Sequence, residues 1–181
     1  MLFGRLSKSP AWLSEWAGAD AAALVRQAEP VARAVRQQLL VQSRWEMVMV
    51  HMERALYRDP EQDLRALWWG LVERFQGVPR PEGRHEPDWA AKIHFSVAPV
   101  YYQNYLLGEI MASQLQHALI EGVHGGGDAA WQGFVSSPAT GRHLATRLFH
   151  HGRALDWRRA VIESCGGPLS PDPFVAELDG R

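Results

Sequence analysis

Four polar side chains between positions 92 and 105 have types and spacings that could bring them to one cleft. Lys92 and His94 are two residues apart, so their side chains share a face if this segment is extended. Tyr102 and Tyr105 are three residues apart, so they share a face if both lie on one helix. One ammonium, one imidazole and two phenols suit a ligand that carries a carboxylate and develops an oxyanion, because they combine a point cation with neutral donors.

The same four residues also have a purely structural interpretation, in which the two tyrosines are amphipathic core residues and Lys92 is solvated. Judged from spacing in a single sequence, this second interpretation is the more common outcome. The two alternatives therefore stay open at the level of the motif itself.

The elements that must position these residues are predicted to be helices almost throughout. Glycine and proline occur in short clusters between segments of helical periodicity, and no stretch alternates convincingly with a period of two. We expect an all-α fold of about seven helices. The predicted helical segments are an uncapped remnant at 2–7, then 21–28 after Asp20, 31–57 after Pro30, 60–75, 98–123, 128–135, 138–151, 157–164 and a last one from 171, with a loop at 78–88. The helix at 60–75 is expected to be capped by Asp59 and to be stopped by Gly77.

The composition is that of an ordinary globular protein and excludes several classes of function. The 181 residues fit one domain, or at most two small ones, and we treat 1–181 as a single helical region. Nineteen basic and twenty acidic residues give a net charge of −1, so neither nucleic acid nor a membrane surface is an expected partner. The single cysteine, Cys165, excludes an internal disulfide and a thiolate-rich zinc site. Eight tryptophans suggest large packing surfaces or an aromatic-lined cleft.

Several spaced motifs, in order, resemble one family over nearly the whole chain. They are ERALY at 53–57, WW at 68–69, RFQG at 74–77, PEGR at 81–84, DWAAKIH at 88–94, APVYYQNY at 98–105, GE at 108–109 and ASQL at 112–115. This pattern resembles the angiotensin-converting-enzyme family, which are zinc metallopeptidases that release dipeptides from peptide C-termini, and most closely its bacterial members. The resemblance implies a hydrolase with an all-helical fold and a peptide C-terminus as the substrate.

The resemblance also implies roles for the four polar residues. In that family the Lys-x-His pair, here Lys92 and His94, binds the C-terminal carboxylate and a backbone carbonyl of the peptide. The first tyrosine of the family's Tyr-x-x-Tyr motif helps to hold the carboxylate and the second stabilises the tetrahedral oxyanion. Tyr102 and Tyr105 match these positions if the comparison with the animal enzymes carries a one-residue gap after His94, and this register preserves both tyrosines.

Two further consequences follow from the register of this motif. Without the one-residue gap, Tyr101 would take the first role and Asn104 the second. In the gapped register, Asn104 stands where the animal enzymes have the arginine that coordinates chloride. The resemblance therefore gives no reason to expect chloride activation.

The zinc-binding motif of this family is absent from the 181 residues. Such a site needs H-E-x-x-H on a helix and a third protein ligand, whereas His85-Glu86 is followed by Pro87, Asp88 and Trp89. An adventitious metal ion could bind the i, i+4 pair His117 and Glu121, with His124 nearby, but such pairs are usually solvated. We therefore expect no metal on this chain alone, although the complete family enzyme uses zinc.

Three interpretations of the whole chain remain open. The resemblance begins just after the family's third zinc ligand would lie, so the chain is expected to be the C-terminal part of a catalytic domain, from a truncated gene, a split gene or an incomplete gene model. It would be inactive by itself, and a separately encoded zinc-binding half would be its partner. The alternatives are a non-catalytic helical module that binds peptide C-termini or a partner protein, and a purely structural domain.

The sequence also gives expectations about self-association and cellular location. The segment 2–7 and the long helix at 31–57 should present apolar faces that a missing half would cover, so we expect self-association. No signal peptide or membrane-spanning run is visible, which favours a soluble bacterial protein of the cytoplasm or periplasm. The compartment itself is not indicated.

Overall fold

The computed structural model describes residues 2–6 and 9–180, and this part of the chain is built from helices, turns and loops without a strand. The α-helices are α1 (Leu2–Leu6), α2 (Pro10–Ala17), α3 (Ala21–Arg58), α4 (Leu64–Gln76), α5 (His94–Val97), α6 (Gln103–His117), α7 (Asp128–Ser136), α8 (Pro138–His143), α9 (Trp157–Cys165) and α10 (Asp172–Asp179). A 3₁₀ turn covers Asp88–Ala91, and π-helical segments at Ala118–Val123 and Leu144–Phe149 continue α6 and α8. The all-α prediction is confirmed. The short helices α2 and α5 were not predicted, because one or two turns carry little periodicity.

The chain forms two compact units. One unit comprises the described residues of 1–36 together with 108–180, and the other comprises residues 37–107. Both α3 and α6 contribute residues to each unit. Among the helices that the structure describes, none combines the length and the apolar run that a membrane crossing requires.

The unit at 37–107 has its core between the second half of α3 and α4. Val48, Met49 and Met52 recur at helical spacing on α3 and are at most 1% exposed. They pack with Trp68 and other apolar residues of α4. Burying each such side chain contributes about 1.5–3 kcal/mol, so this face of α3 is held firmly against α4.

The other unit has its own apolar core, formed by Leu115, Leu119 and Ile120 together with Phe134 and Leu144 of the following helices. Leu2 of α1 is half-buried and packs against this cluster.

A buried ion pair also fixes α1 in this unit. The Arg5 side chain is 8% exposed and lies 3.0 Å from both a Glu109 and a Glu177 oxygen. The exposed apolar face predicted at 2–7 is therefore wrong for Leu2, because α1 packs against its own unit; Ser7, at the end of the predicted segment, lies outside the described residues.

Three helix boundaries differ from the sequence prediction, each for a local reason. Helix α3 runs through Pro30, where a kink or restart was expected, because a proline removes only one backbone donor from a 38-residue helix. Helix α4 begins at Leu64 because Asp63, and not Asp59, accepts hydrogen bonds from two backbone N–H groups of the first turn. Helix α6 begins at Gln103 because Val100 has a φ of 56°, which interrupts a right-handed helix. Gly77 ends α4 as predicted.

Candidate functional site

The segment that carries Lys92 and His94 changes conformation between the two residues. Lys92 follows the 3₁₀ turn with an extended backbone (φ −88°, ψ 95°), and Ile93 is already helical (φ −53°, ψ −27°). The extended conformation considered for this segment therefore ends at Lys92, because the chain turns into α5. The side chains of Lys92 and His94 are nonetheless both half-buried, whereas that of Ile93 between them is 64% exposed.

The Lys92 ammonium lies against two indole rings. Its Nζ atom is 5.1 Å from the ring centroid of Trp45 and 5.6 Å from that of Trp68. The two indoles themselves meet edge to face, with centroids 5.7 Å apart. A cation over an aromatic face gains about 0.5–2 kcal/mol without losing its charge. The ammonium is thus held in place and still able to bind an anion.

The acidic residue nearest to Lys92 in the sequence, Asp88, is engaged elsewhere. Arg84 Nε donates to both Asp88 carboxylate oxygens at 3.0 and 3.1 Å, and Trp69 Nε1 donates at 3.2 Å. The hydrogen bond from Arg84 lowers the pKa of Asp88 below its ordinary value. Within the described ranges, no carboxylate forms an ion pair with Lys92.

His94, Tyr102 and Tyr105 form one aromatic cluster. The His94 ring centroid lies 4.9 Å from Tyr102 and 6.0 Å from Tyr105, both edge to face. The two tyrosine rings are 5.1 Å apart, although Tyr102 precedes α6 and does not lie within the helix as predicted. Tyr101 also contacts Tyr105, at 5.7 Å.

Tyr102 is the most buried member of this cluster, with 8% of its surface exposed. Its hydroxyl oxygen accepts a hydrogen bond of 2.8 Å from Trp45 Nε1. Burial raises the pKa of the Tyr102 phenol because the phenolate would lose its hydration, and the negative charge of Glu46 acts in the same direction. Tyr102 is therefore a neutral hydrogen-bond donor at physiological pH.

An open cleft of about 510 Å³ lies beside the Lys92 ammonium in the unit at 37–107. Its lining includes Trp45, Trp68, Trp69, Arg84, Asp88 and Lys92. His94, Tyr102 and Tyr105 are not among its lining residues. The four predicted residues thus form two groups, Lys92 on the indole side and the His94 cluster on the other, and Trp45 contacts both.

Two residues that had no predicted role in the site support this arrangement. Trp45 touches Lys92 and Tyr102. Its sequence signals were the unusual tryptophan content and its place among the apolar residues of the predicted helix at 31–57. Glu53 is 5% exposed, and its Oε1 accepts a 2.5 Å hydrogen bond from the backbone of Val100, two residues before Tyr102.

The possible metal ligands are dispersed. Over residues 2–6 and 9–180, no group of three or more His, Cys, Asp or Glu side chains could hold a metal ion. Of the weak candidates, His117 and Glu121 are exposed, while His124 Nε2 lies 2.8 Å from the Thr140 hydroxyl. The described residues therefore do not fit a zinc ion.

Comparison with known proteins gives a match to a protein family. A family model described as angiotensin-converting enzyme, of the M2 peptidases, matches residues 39–170, a range that contains Trp45, Lys92, His94, Tyr102 and Tyr105. No curated protein and no solved structure matches the chain significantly.

Proposed function

The chain belongs to the angiotensin-converting-enzyme family of peptidases, and on that premise we propose that it supplies the substrate-carboxylate and oxyanion groups of a peptidyl-dipeptidase site. Lys92 binds the C-terminal carboxylate of a peptide, with the Tyr102 hydroxyl as a second donor. His94 holds a backbone carbonyl of the substrate, and Tyr105 donates to the oxyanion that forms during cleavage.

The main support for this proposal is the environment of the Lys92 ammonium. A half-buried ammonium without a carboxylate partner is costly, yet here two indole faces hold it beside an open cleft. An anionic ligand at this position would gain a charge-assisted hydrogen bond. A peptide C-terminus supplies that anion, and the family supplies the reason to expect a peptide.

The neutral donors His94 and Tyr105 suit the proposed binding of a substrate carbonyl and of the oxyanion. Phenol and imidazole groups can donate hydrogen bonds to a carbonyl oxygen and bind it more tightly as it becomes an oxyanion. His94 and Tyr105 lie in one cluster, so a single substrate segment could contact both. Such donors accelerate the reaction only if they bind the oxyanion of the transition state more tightly than the carbonyl oxygen of the substrate.

In this family a bound zinc ion would supply the attacking hydroxide, and the residues that the structure describes do not fit that ion. We extend the proposal accordingly: the 181-residue chain is inactive alone, and the metal and the general base come from residues that are not among these 181. A polypeptide that carries the family's H-E-x-x-H segment is then its functional partner.

Two measurements test this function. Isothermal titration with a free-acid dipeptide and with its C-terminally amidated form should show binding of the free acid and much weaker binding of the amide. Peptidase assays should show no dipeptide release by the chain alone and zinc-dependent release when an H-E-x-x-H-containing polypeptide of the family is added. Equal affinities for the two dipeptides would contradict the binding role, and absence of release from the mixture would favour a non-catalytic binding module.

A further inference from the structure

We infer that Trp45 is a positioning residue that couples the two carboxylate-binding groups: its ring face holds the Lys92 ammonium and its N–H orients the Tyr102 hydroxyl. The inference rests on the proposed function. Its starting point is that one indole contacts both groups, the Lys92 Nζ atom at 5.1 Å from the ring centroid and the Tyr102 oxygen at 2.8 Å from Nε1.

The hydrogen bond between Trp45 and Tyr102 has a defined direction. An indole N–H can only donate, so the Tyr102 oxygen must accept. The phenolic proton is then directed away from the indole and can be donated to another group. In the part of the chain that the structure describes, the Tyr102 oxygen makes no second hydrogen bond. Trp45 therefore leaves Tyr102 ready to donate to a ligand.

The contact with Lys92 positions a charge without neutralising it. A carboxylate at the place of Trp45 would form an ion pair with the ammonium and compete with an anionic ligand. The indole face attracts the cation but offers no such competition. Trp68, which meets Trp45 edge to face, provides the second face and fixes the plane of the first.

The position of Trp45 is itself set by the core. It is half-buried on α3, three residues before Val48, and it packs against the buried cluster of α3 and α4. An indole held in this way has little rotamer freedom to lose when a ligand binds, so the positions of Lys92 and Tyr102 are preorganised for binding. Trp45 also lines the cleft, so the part of its effect on a ligand that passes through the Tyr102 hydroxyl is the part that a Tyr102→Phe background should remove.

The test uses the ratio of dissociation constants for an amidated and a free-acid dipeptide, measured by isothermal titration on the 181-residue chain. Trp45→Phe keeps a ring for Lys92 but removes the N–H, and should lower this ratio by about fivefold. In a Tyr102→Phe background the same change should have no further effect. Trp45→Leu, which also removes the ring, should lower the ratio more than Trp45→Phe. Trp157→Phe, at an exposed indole of the other unit, is the control and should leave the ratio unchanged.

A ligand-free readout accompanies the titration. The indole ¹H–¹⁵N resonance of Trp45 should shift in Tyr102→Phe, because its hydrogen-bond acceptor is lost, while the other seven indole resonances change little. This measurement needs only a conservative change at Tyr102, so it remains informative if Trp45 variants fold poorly.

The outcomes separate this inference from the function on which it rests. If the wild-type chain does not prefer the free acid, the proposed function fails and the inference fails with it. If the wild type shows the preference but Trp45→Phe retains it, the inference alone is overturned. Equal losses from Trp45→Phe in the wild-type and Tyr102→Phe backgrounds would also overturn it, because they would mark a general packing effect.

Discussion

The carboxylate of Glu53 accepts a hydrogen bond from the backbone nitrogen of Val100, with 2.5 Å between the two atoms. Glu53 is buried on α3, and Val100 adopts a left-handed φ of 56° that a β-branched residue rarely adopts. Backbone strain of this kind persists only where surrounding contacts impose it. The hydrogen bond thus helps to hold the turn that leads into Tyr102.

We predict that Glu53→Ala lowers the free energy of unfolding by about 1.5–3 kcal/mol, because the lost bond is a partly buried one to a carboxylate. Urea denaturation followed by circular dichroism measures this. Glu73→Ala is the matched control, since the exposed Glu73 carboxylate accepts a 3.0 Å bond from the backbone of Arg80. A loss no larger than that of the control would show that Glu53 does not hold the turn.

Asp63 gives a prediction for acid stability. Backbone hydrogen bonding from Ala66 lowers the pKa of Asp63 below its ordinary value of 3.8. The stabilisation that this carboxylate provides is therefore present above pH 3.8 and is lost as the pH falls below that value through the lowered pKa. Asp63→Asn keeps a capping oxygen without the titration, so its unfolding free energy should fall less steeply below about pH 4 than that of the wild type, as measured by urea denaturation at several pH values. Parallel pH profiles would contradict this.

Tyr105 is expected to act on the reaction and not on substrate affinity. When activity is restored by an H-E-x-x-H-containing polypeptide, Tyr105→Phe should lower kcat with little change in KM, because one lost oxyanion donor costs about 3 kcal/mol in the transition state. Steady-state kinetics with Asn104→Ala as the comparison distinguishes the two registers, because the ungapped register gives the oxyanion role to Asn104. An unchanged kcat in Tyr105→Phe together with a lowered kcat in Asn104→Ala would favour the ungapped one.

The isolated chain is expected to self-associate through apolar residues on α3. Val31, Leu40, Val41 and Tyr57 are each at least 39% exposed on this helix, and exposed apolar surface promotes association. Sedimentation velocity over a range of concentrations should show a rising sedimentation coefficient. A coefficient that stays at the monomer value at all concentrations would argue against self-association through these residues.

Periodicity and glycine or proline punctuation were enough to predict the all-α fold and most of its long helices. The errors arose where a tertiary contact decides the outcome. Asp63 rather than Asp59 caps α4, and the Glu53 bond supports a left-handed Val100 that delays α6. Neither choice is visible in the spacing of apolar residues.

The candidate site was likewise only partly predictable. Spacing placed His94, Tyr102 and Tyr105 near one another, and their rings do meet. The place of Lys92 could not be read in the same way, because it depends on two indoles that are 47 and 24 positions away in the chain. Such distant partners leave no periodic signal; the tryptophan content hinted at both, and Trp68 also belongs to the WW pair at 68–69.

The central claim, that Lys92 receives the carboxylate of a peptide C-terminus, is tested most directly by Lys92→Ala in the 181-residue chain. Isothermal titration should show the affinity for a free-acid dipeptide falling by at least about tenfold, since hydrogen bonds to charged groups contribute about 1.5–3 kcal/mol. The affinity for the amidated dipeptide should change little, and Arg54→Ala, which removes an exposed positive charge from α3, should change neither. Equal losses for the free acid and the amide would show that Lys92 is a structural residue and contradict the assignment.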